Sequence, residues 1–193
     1  MGVTISCKKT GRSIDLGGGG FFNLRNKVSD LVGEPWASHY RKLEDIFRKA
    51  FSMSDEERRQ AYNAFDAETE RLLAEKKVSF KVVDFLLQPD CEGLIRYGAC
   101  KELLKIIGDY DDNVLYGYIG RPDCAKFRDF KAILQDCADN KCNMVWRRGL
   151  GLSPLPCPYQ ERRKHEKKER TQAPDRQGNH LRRSGDDEER CAS

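Results

Sequence analysis

Four consecutive glycines form the part of this chain that most resembles a cofactor site. Glycine-rich turns bind phosphate when their backbone N–H groups, and those of the helix that follows, converge on the anion. A strand-like run precedes these glycines, a helix-like run follows them, and two nearby arginines could supply positive charge. The candidate nucleotide or anion site consists of Arg12, Gly17, Gly18, Gly19, Gly20 and Arg25.

The residues around the glycines argue against a phosphate loop. Such a loop continues with Lys-Ser or Lys-Thr, whereas here Phe21 and Phe22 follow, and Phe22 occupies the third glycine position of a dinucleotide-binding fingerprint. Asp15 would also repel a phosphate at this position. We favour a structural corner that turns Phe21 and Phe22 into the core, with an anion site and a protein-binding loop as the alternatives.

A second candidate is the segment "DYDDNVLYGYIGRPD", residues 109–123, which combines four aspartates with three tyrosines. Paired carboxylates could bind Mg²⁺ or perform acid–base catalysis, but Asp and Asn are also common turn formers and helix caps. Tyrosines beside glycines suit a rigid surface for protein contacts. We predict a partner-binding face made of Tyr110, Asp111, Asp112, Tyr116, Tyr118 and Arg121.

The eight cysteines are expected to be reduced, because the N-terminal residues lack the apolar run of a secretion signal. A zinc site would need a set such as Cys124, Cys137 and Cys142 with a histidine, but the three histidines lie in unrelated segments. Thiols in apolar patterns behave as small hydrophobic side chains. We therefore predict buried thiols, no metal and no other cofactor.

The segment "QPDCEGLI", which starts at Gln88, resembles part of a calcium-binding EF-hand loop. Asp90, Glu92 and Gly93 fit that pattern, but Gln88 replaces the first ligand and Ala99 replaces the bidentate glutamate. Because two of the strongest ligands are missing, we interpret the segment as a connection between two helices.

Motifs for nucleophilic catalysis are also missing. The sequence contains no G-x-S-x-G, and His39 lies in an amphipathic helix, where a lone histidine is expected to be solvated. We predict no catalytic residues and a protein that is not an enzyme.

The periodicity of the sequence indicates the elements that must position these residues. Alternating side chains predict a β-hairpin over 3–16 and a final strand near 142–147 that pairs with it. Ser54 and Glu57 form the capping box of one helix. Apolar residues three or four apart predict helices near 21–32, 36–52, 55–77, 78–87, 100–107 and 125–138. For the short apolar segment 78–87 a strand is the alternative. The fold class is therefore α+β, mostly helical with a small antiparallel sheet.

The length of 193 residues suits one globular domain, placed at 1–150, with an appendage. Residues 151–193 carry ten basic and eight acidic side chains and few apolar ones, so we predict a disordered charged tail. Its basic cluster, 161–170, is the part that could contact nucleic acid, although we favour a solvated segment. No apolar run is long enough to cross a membrane, and a net charge of +4 is too small to indicate nucleic-acid binding.

Four segments resemble a small family of uncharacterised proteins from phages and prophages of Gram-positive bacteria. They are "ISCKKTGRSIDLGGGGFFNLR", "LLQPDCEGLIRYGACKELL", "DYDDNVLYGYIGRPDCAKFRDFK" and "DCADNKCNMVW". The resemblance covers about residues 1–147 and implies a cytoplasmic protein of an infected or lysogenic bacterial cell. It supplies no catalytic residues.

Small accessory phage proteins often bind a host protein or a signalling nucleotide, which is an analogy at the level of the family. We expect stoichiometric binding of a protein, with inhibition of a bacterial anti-phage defence factor as the specific hypothesis. The alternatives are a nucleotide-sequestering or anion-binding protein that uses the glycines and, third, an enzyme with an Asp-rich site.

Overall fold

A computed structural model describes residues 2–17 and 19–149. In chain order these residues form β1 (Val3–Cys7), β2 (Ser13–Leu16), α1 (Gly20–Val32), α2 (Trp36–Lys49), α3 (Asp55–Ala74), α4 (Phe80–Leu87), β3 (Glu92–Ile95), α5 (Tyr97–Ile107), α6 (Phe127–Asp139) and β4 (Met144–Arg148). The predicted α+β class is confirmed.

The sheet is antiparallel throughout, with its four strands in the order β2-β1-β4-β3. The predicted hairpin and its pairing with the final strand are both confirmed, since Ile5 lies opposite Ile14 on one side and Trp146 on the other. Successive strand residues point to opposite faces, so Val3, Ile5 and Cys7 share the buried face. That face meets the helices.

Strand β3 is the one strand that the sequence did not predict. We interpreted this segment as a connection between helices, but Leu94 lies opposite Val145 and Gly93 opposite Trp146 in regular antiparallel pairing. Four residues that include a glycine are too short to display a clear alternation of period two. The pairing with β4 therefore decides this element.

Aromatic side chains from three helices fill the space against the buried face of the sheet. The rings of Phe21 in α1 and Phe85 in α4 lie 5.6 and 6.0 Å from the Trp146 ring, and Phe130 of α6 stacks 5.9 Å from Phe85. All four side chains are at most 1% exposed. Buried aromatic rings contribute large apolar area, so this cluster holds the helices on the sheet.

Helices α2 and α3 pack against each other as an antiparallel pair. The Ser54 capping box is confirmed, since Ser54 N donates to Glu57 Oε2 at 2.8 Å and Glu57 N donates to Ser54 Oγ at 3.3 Å. Helix α2 ends at Lys49, earlier than predicted, and the Phe51 side chain lies fully exposed in the following turn.

The surface position predicted for His39 is wrong. Its side chain is 3% exposed between α2 and α3, with Nε2 2.8 Å from Thr69 Oγ1 and the ring stacked 4.2 Å from Phe65. Burial lowers the pKa of His39, against a raising effect of Glu68. The histidine is a neutral core residue because α3 covers the face of α2 that bears it.

The predicted tail, 151–193, and its basic cluster, 161–170, lie outside the described residues. Among the helices that are described, none combines the length and the apolar character needed to cross a bilayer.

Candidate functional site

The glycine corner joins β2 to α1 and packs closely against the loop between α5 and α6. A Cβ atom at Gly20 would lie 1.8 Å from the Tyr116 carbonyl oxygen, and one at Gly17 would lie 3.5 Å from the Tyr118 ring. Phe21 is buried and Phe22 is half-buried just beyond the corner. The glycines therefore allow two backbone segments to approach closely, and of the two phenylalanines expected to turn into the core only Phe21 is fully buried. Gly18 lies outside the described residues.

The two arginines of the candidate anion site both pair with carboxylates. Arg25 is 4% exposed, and its guanidinium lies 4.1 Å from the Phe21 ring centre and donates to Asp90 Oδ1 at 2.6 Å and to Gln88 O at 2.7 Å. Arg12 forms a 3.0 Å ion pair with Asp136. The structure thus turns Arg25 into the core and does not offer it to a ligand at the glycines.

Backbone hydrogen bonds hold the loop between α5 and α6 at its base. Tyr116 N and Gly117 N both donate to Ala125 O, at 2.8 and 3.1 Å, and Phe127 N donates to Val114 O at 2.9 Å. A Cβ at Gly117 would lie 2.4 Å from Ala125 N, so only glycine permits this approach of the two strands of the loop. These hydrogen bonds fix the base of the loop, and residues 118–124 form its tip.

The predicted partner-binding residues separate into two groups. Three serve the loop itself: Tyr116 is buried, Asp111 accepts a hydrogen bond from Asn113 N, and Asp112 pairs with Lys131 at 2.7 Å. Tyr110 also packs inward, edge-on against Phe127 at 4.7 Å. Only Tyr118 and Arg121 lie at the tip, where the Arg121 guanidinium stacks 4.5 Å from the Tyr118 ring centre.

Sequence reasoning missed two exposed apolar side chains in the same loop. Ile119 is 85% exposed and Leu115 is 45% exposed. The position of Ile119 between Tyr118 and Gly120 was a signal that could have found it, because an isoleucine at a turn tip has no core to enter. We define the loop face as Leu115, Tyr118, Ile119 and Arg121.

A cleft of about 530 Å³ lies between the tip of this loop and strand β2. Tyr118 and Arg121 line it on one side, and Arg12 and Asp15 line it on the other. The structure therefore brings part of the candidate anion site and part of the candidate partner face to the same depression. Asp123 and Asp129 also line this cleft, so its carboxylates outnumber its guanidinium groups.

The EF-hand-like segment is used for structure. The Gln88 side-chain amide donates to Leu94 O at 2.9 Å and accepts from Leu94 N at 3.0 Å. These two bonds satisfy the backbone N–H and C=O groups of Leu94 at the open edge of β3. Asp90 pairs with Arg25, and a Cβ at Gly93 would lie 2.1 Å from the Trp146 ring. These contacts explain why the ligand pattern is incomplete.

Three thiols converge at one end of the sheet. Cys7 ends β1, Cys137 lies in α6 and Cys142 lies in the connection to β4, and their sulfur atoms are all within 4.8 Å of one another. Cys137 also donates a hydrogen bond to Cys100 of α5. The zinc set considered from the sequence contained Cys124, but the fold brings Cys7 to this place. Among the described residues this is the group of side chains with the spacing of a metal site.

The hydrogen bonds in this thiol cluster lower the pKa of Cys7 and raise the pKa values of Cys137 and Cys142. Burial raises the pKa of the Cys7 thiol. Hydrogen bonds outweigh burial and lower that pKa to about 7, and they come from the side chain and backbone of Thr10, from Cys142 and from the backbone of Lys9. Burial and the hydrogen bond to Cys7 raise the pKa of Cys142, while the bond to Cys100 and burial raise that of Cys137. The hydrogen bonds that Cys7 accepts from Thr10, Cys142 and Lys9 therefore favour its thiolate form over those of its neighbours.

A scan against family models, a comparison with curated proteins and a comparison with solved structures each find no match to this chain.

Proposed function

We propose that this protein acts by binding another protein stoichiometrically through the loop face. The observation that carries the proposal is the exposure of Ile119, 85%, at the tip of a loop whose base is fixed by three backbone hydrogen bonds. A preformed loop loses little conformational freedom when it binds, and an exposed apolar side chain gains from burial in a partner.

The chemistry of the loop face specifies the kind of partner. Arg121 stacked on Tyr118 places a positive charge on the same loop tip as Ile119. Tyrosine and arginine are the residue types that dominate binding energy at interfaces. A complementary partner offers an apolar pocket for Ile119 bordered by an acidic side chain. The resemblance to phage proteins supports a bacterial defence factor as that partner.

The test compares two matched surface variants, Ile119→Asp and Phe51→Asp, because both side chains are exposed and Phe51 lies in a different turn. Partners captured from bacterial lysate are purified and titrated by calorimetry. We expect a 1:1 complex whose dissociation constant rises about 30-fold with Ile119→Asp, as for loss of an interface residue worth about 2 kcal/mol. Equal binding by the wild type and Ile119→Asp would exclude the loop face.

Anion binding is the second candidate, and the observation in its favour is the cleft beside the glycine corner that contains Arg12 and Arg121. A volume of about 530 Å³ lies within the range of small-ligand sites. The three carboxylates that line the cleft oppose it. A thermal-shift screen with nucleotides and cyclic nucleotides tests it, and stabilisation that is unchanged in Arg12→Ala and Arg121→Ala variants would remove it.

The Asp-rich enzyme has the weakest support. Asp111 and Asp112 are engaged with Asn113 N and Lys131, and within the described part of the chain no three carboxylates approach one another as cation ligands would.

A further inference from the structure

The thiol cluster of Cys7, Cys137 and Cys142 has no part in the proposed protein-binding function, and its geometry is typical of a metal site. We propose that these three sulfurs bind one soft divalent metal ion, Zn²⁺ in the cell, with a water molecule in the fourth position.

The spacing of the sulfur atoms fits such an ion. On a tetrahedral zinc ion with Zn–S bonds of about 2.3 Å, neighbouring sulfurs lie about 3.8 Å apart. Here Cys7 Sγ and Cys142 Sγ lie 3.3 Å apart, and each of the three sulfurs lies within 4.8 Å of the others. Side-chain adjustments of about 1 Å or less therefore bring all three into a zinc coordination sphere.

The backbone around the cluster holds the ligands in place. Cys7 N donates to Arg12 O at 2.9 Å, Gly11 N donates to Cys7 O at 3.0 Å, and Cys142 N donates to Cys137 O at 3.1 Å. Cys7 is also paired with Met144 across β1 and β4. A site that is assembled before the ion arrives does not have to order the chain on binding.

Charge and access are also suited to a cation. Backbone N–H groups of Lys9 and Thr10 hydrogen-bond to the Cys7 sulfur and place positive ends of backbone dipoles beside it. Thiolates prefer zinc and similar soft metals over magnesium or calcium. Cys142 is half-buried whereas Cys7 and Cys137 are fully buried, so the ion enters, and the water binds, on the Cys142 side.

The test uses the full chain with the cysteines outside the cluster replaced, so that every metal–thiolate signal comes from the cluster and its neighbour Cys100. The background substitutions are Cys91→Ser, Cys124→Ser, Cys157→Ser and Cys191→Ser. The protein is reduced with a phosphine under anaerobic conditions and titrated with Cd²⁺, whose thiolate complexes absorb in the ultraviolet. Zn²⁺ affinity is then measured by competition with a chromophoric chelator, and proton release is recorded in weak buffer.

We expect one Cd²⁺ per chain, release of protons on binding and a Zn²⁺ dissociation constant that rises at least about tenfold in Cys142→Ser. Cys142 is the chosen position because its partial exposure lets the variant fold, which circular dichroism verifies. Restoring Cys124 in the background is the matched control and leaves the affinity unchanged.

Three results would overturn the proposal. The first is reduced protein that gives no cadmium–thiolate absorption, and the second is equal affinity in Cys142→Ser and its parent. The third is metal binding without release of protons, which would show that the thiols are not the ligands.

Discussion

Arg25 Nη1 donates to Asp90 Oδ1 at 2.6 Å, which ties the buried face of α1 to the segment that leads into β3. The guanidinium is 4% exposed and lies within 5.5 Å of the ring centres of Phe21, Phe85 and Trp146. A cation in such a place needs a counter-charge, because the rings alone replace little of its hydration. Asp90 supplies that charge from a side chain that is 42% exposed.

Removing this counter-charge is the first prediction. Asp90→Asn is expected to lower the free energy of unfolding by about 1–2 kcal/mol, less than for a fully buried pair because Asp90 is partly solvated. Urea unfolding monitored by circular dichroism measures it. Asp109→Asn, at an exposed position, is the control and should change stability by less than about 0.5 kcal/mol. Equal effects of the two variants would show that the pair contributes little.

The glycine corner supplies the second prediction. Gly20→Ala places a methyl group against the Tyr116 carbonyl, so we expect destabilisation of about 1–3 kcal/mol from the forced displacement of the loop. Gly19→Ala meets only Asn23 at 4.0 Å and should stay within about 0.5 kcal/mol of the wild type. Thermal unfolding of the two variants side by side measures the difference, and a tolerant Gly20 would contradict the close approach described above.

The buried histidine supplies the third prediction, on pH. The folded pKa of His39 lies below its ordinary value of 6.5, so the unfolded chain binds the proton more readily. The contribution of His39 is fully present above pH 6.5, is lost as the pH falls below that value and levels off below the folded pKa. Burial is the largest cause of this lowered pKa. The charge of Glu68 favours protonation of the ring, whereas the charges of Lys42 and Arg71 oppose it.

Urea unfolding at several pH values between about 7.5 and 5.5 tests the histidine, since this window spans its ordinary pKa and lies above those of the carboxylates. His39→Gln should unfold more easily than the wild type yet show a smaller loss of stability across the window. An unchanged slope in His39→Gln would assign the pH dependence to other groups.

The edge of the sheet supplies the fourth prediction. Gln88→Ala removes both hydrogen bonds to Leu94 and leaves the backbone of β3 unpaired at an edge strand. We expect a loss of about 1–2 kcal/mol and a tendency to self-associate through the open edge, measured by light scattering at increasing concentration. Gln60→Ala removes an exposed side-chain bond in α3 and serves as the control. A Gln88→Ala variant that stays monomeric and unfolds at the same urea concentration as the wild type would show that Gln88 does not protect the edge of β3.

Local patterns in the sequence were sufficient for most of the elements. The alternation on either side of Gly11, the capping box of Ser54 and Glu57 and the helical spacing before Gly33 each depend on interactions between residues a few positions apart. Apolar and helical patterns also predicted buried thiols. Cys7, Cys100 and Cys137 are buried, whereas Cys91, Cys124 and Cys142 are only half-buried. Such features are visible in a short window because their physical causes are local.

The candidate sites depend on contacts that no short window contains. Cys7 and Cys142 are 135 positions apart, and Arg25 meets Asp90 across 65 positions. The spacing of residues in the sequence suggested Cys124 as a partner of Cys137, and it placed Arg25 beside the glycines. Sequence spacing does not show which face of a helix packs against the core, so neither suggestion matched the structure.

The sequence alone therefore determined the strands of the hairpin, the helices and the α+β class, because propensity and periodicity act over a few residues. Tertiary packing decided the convergence of the thiols, the burial of His39 and the exposure of Ile119. Each of these depends on which helix face meets the sheet or a neighbouring helix, and the burial of the whole aromatic core selects that face.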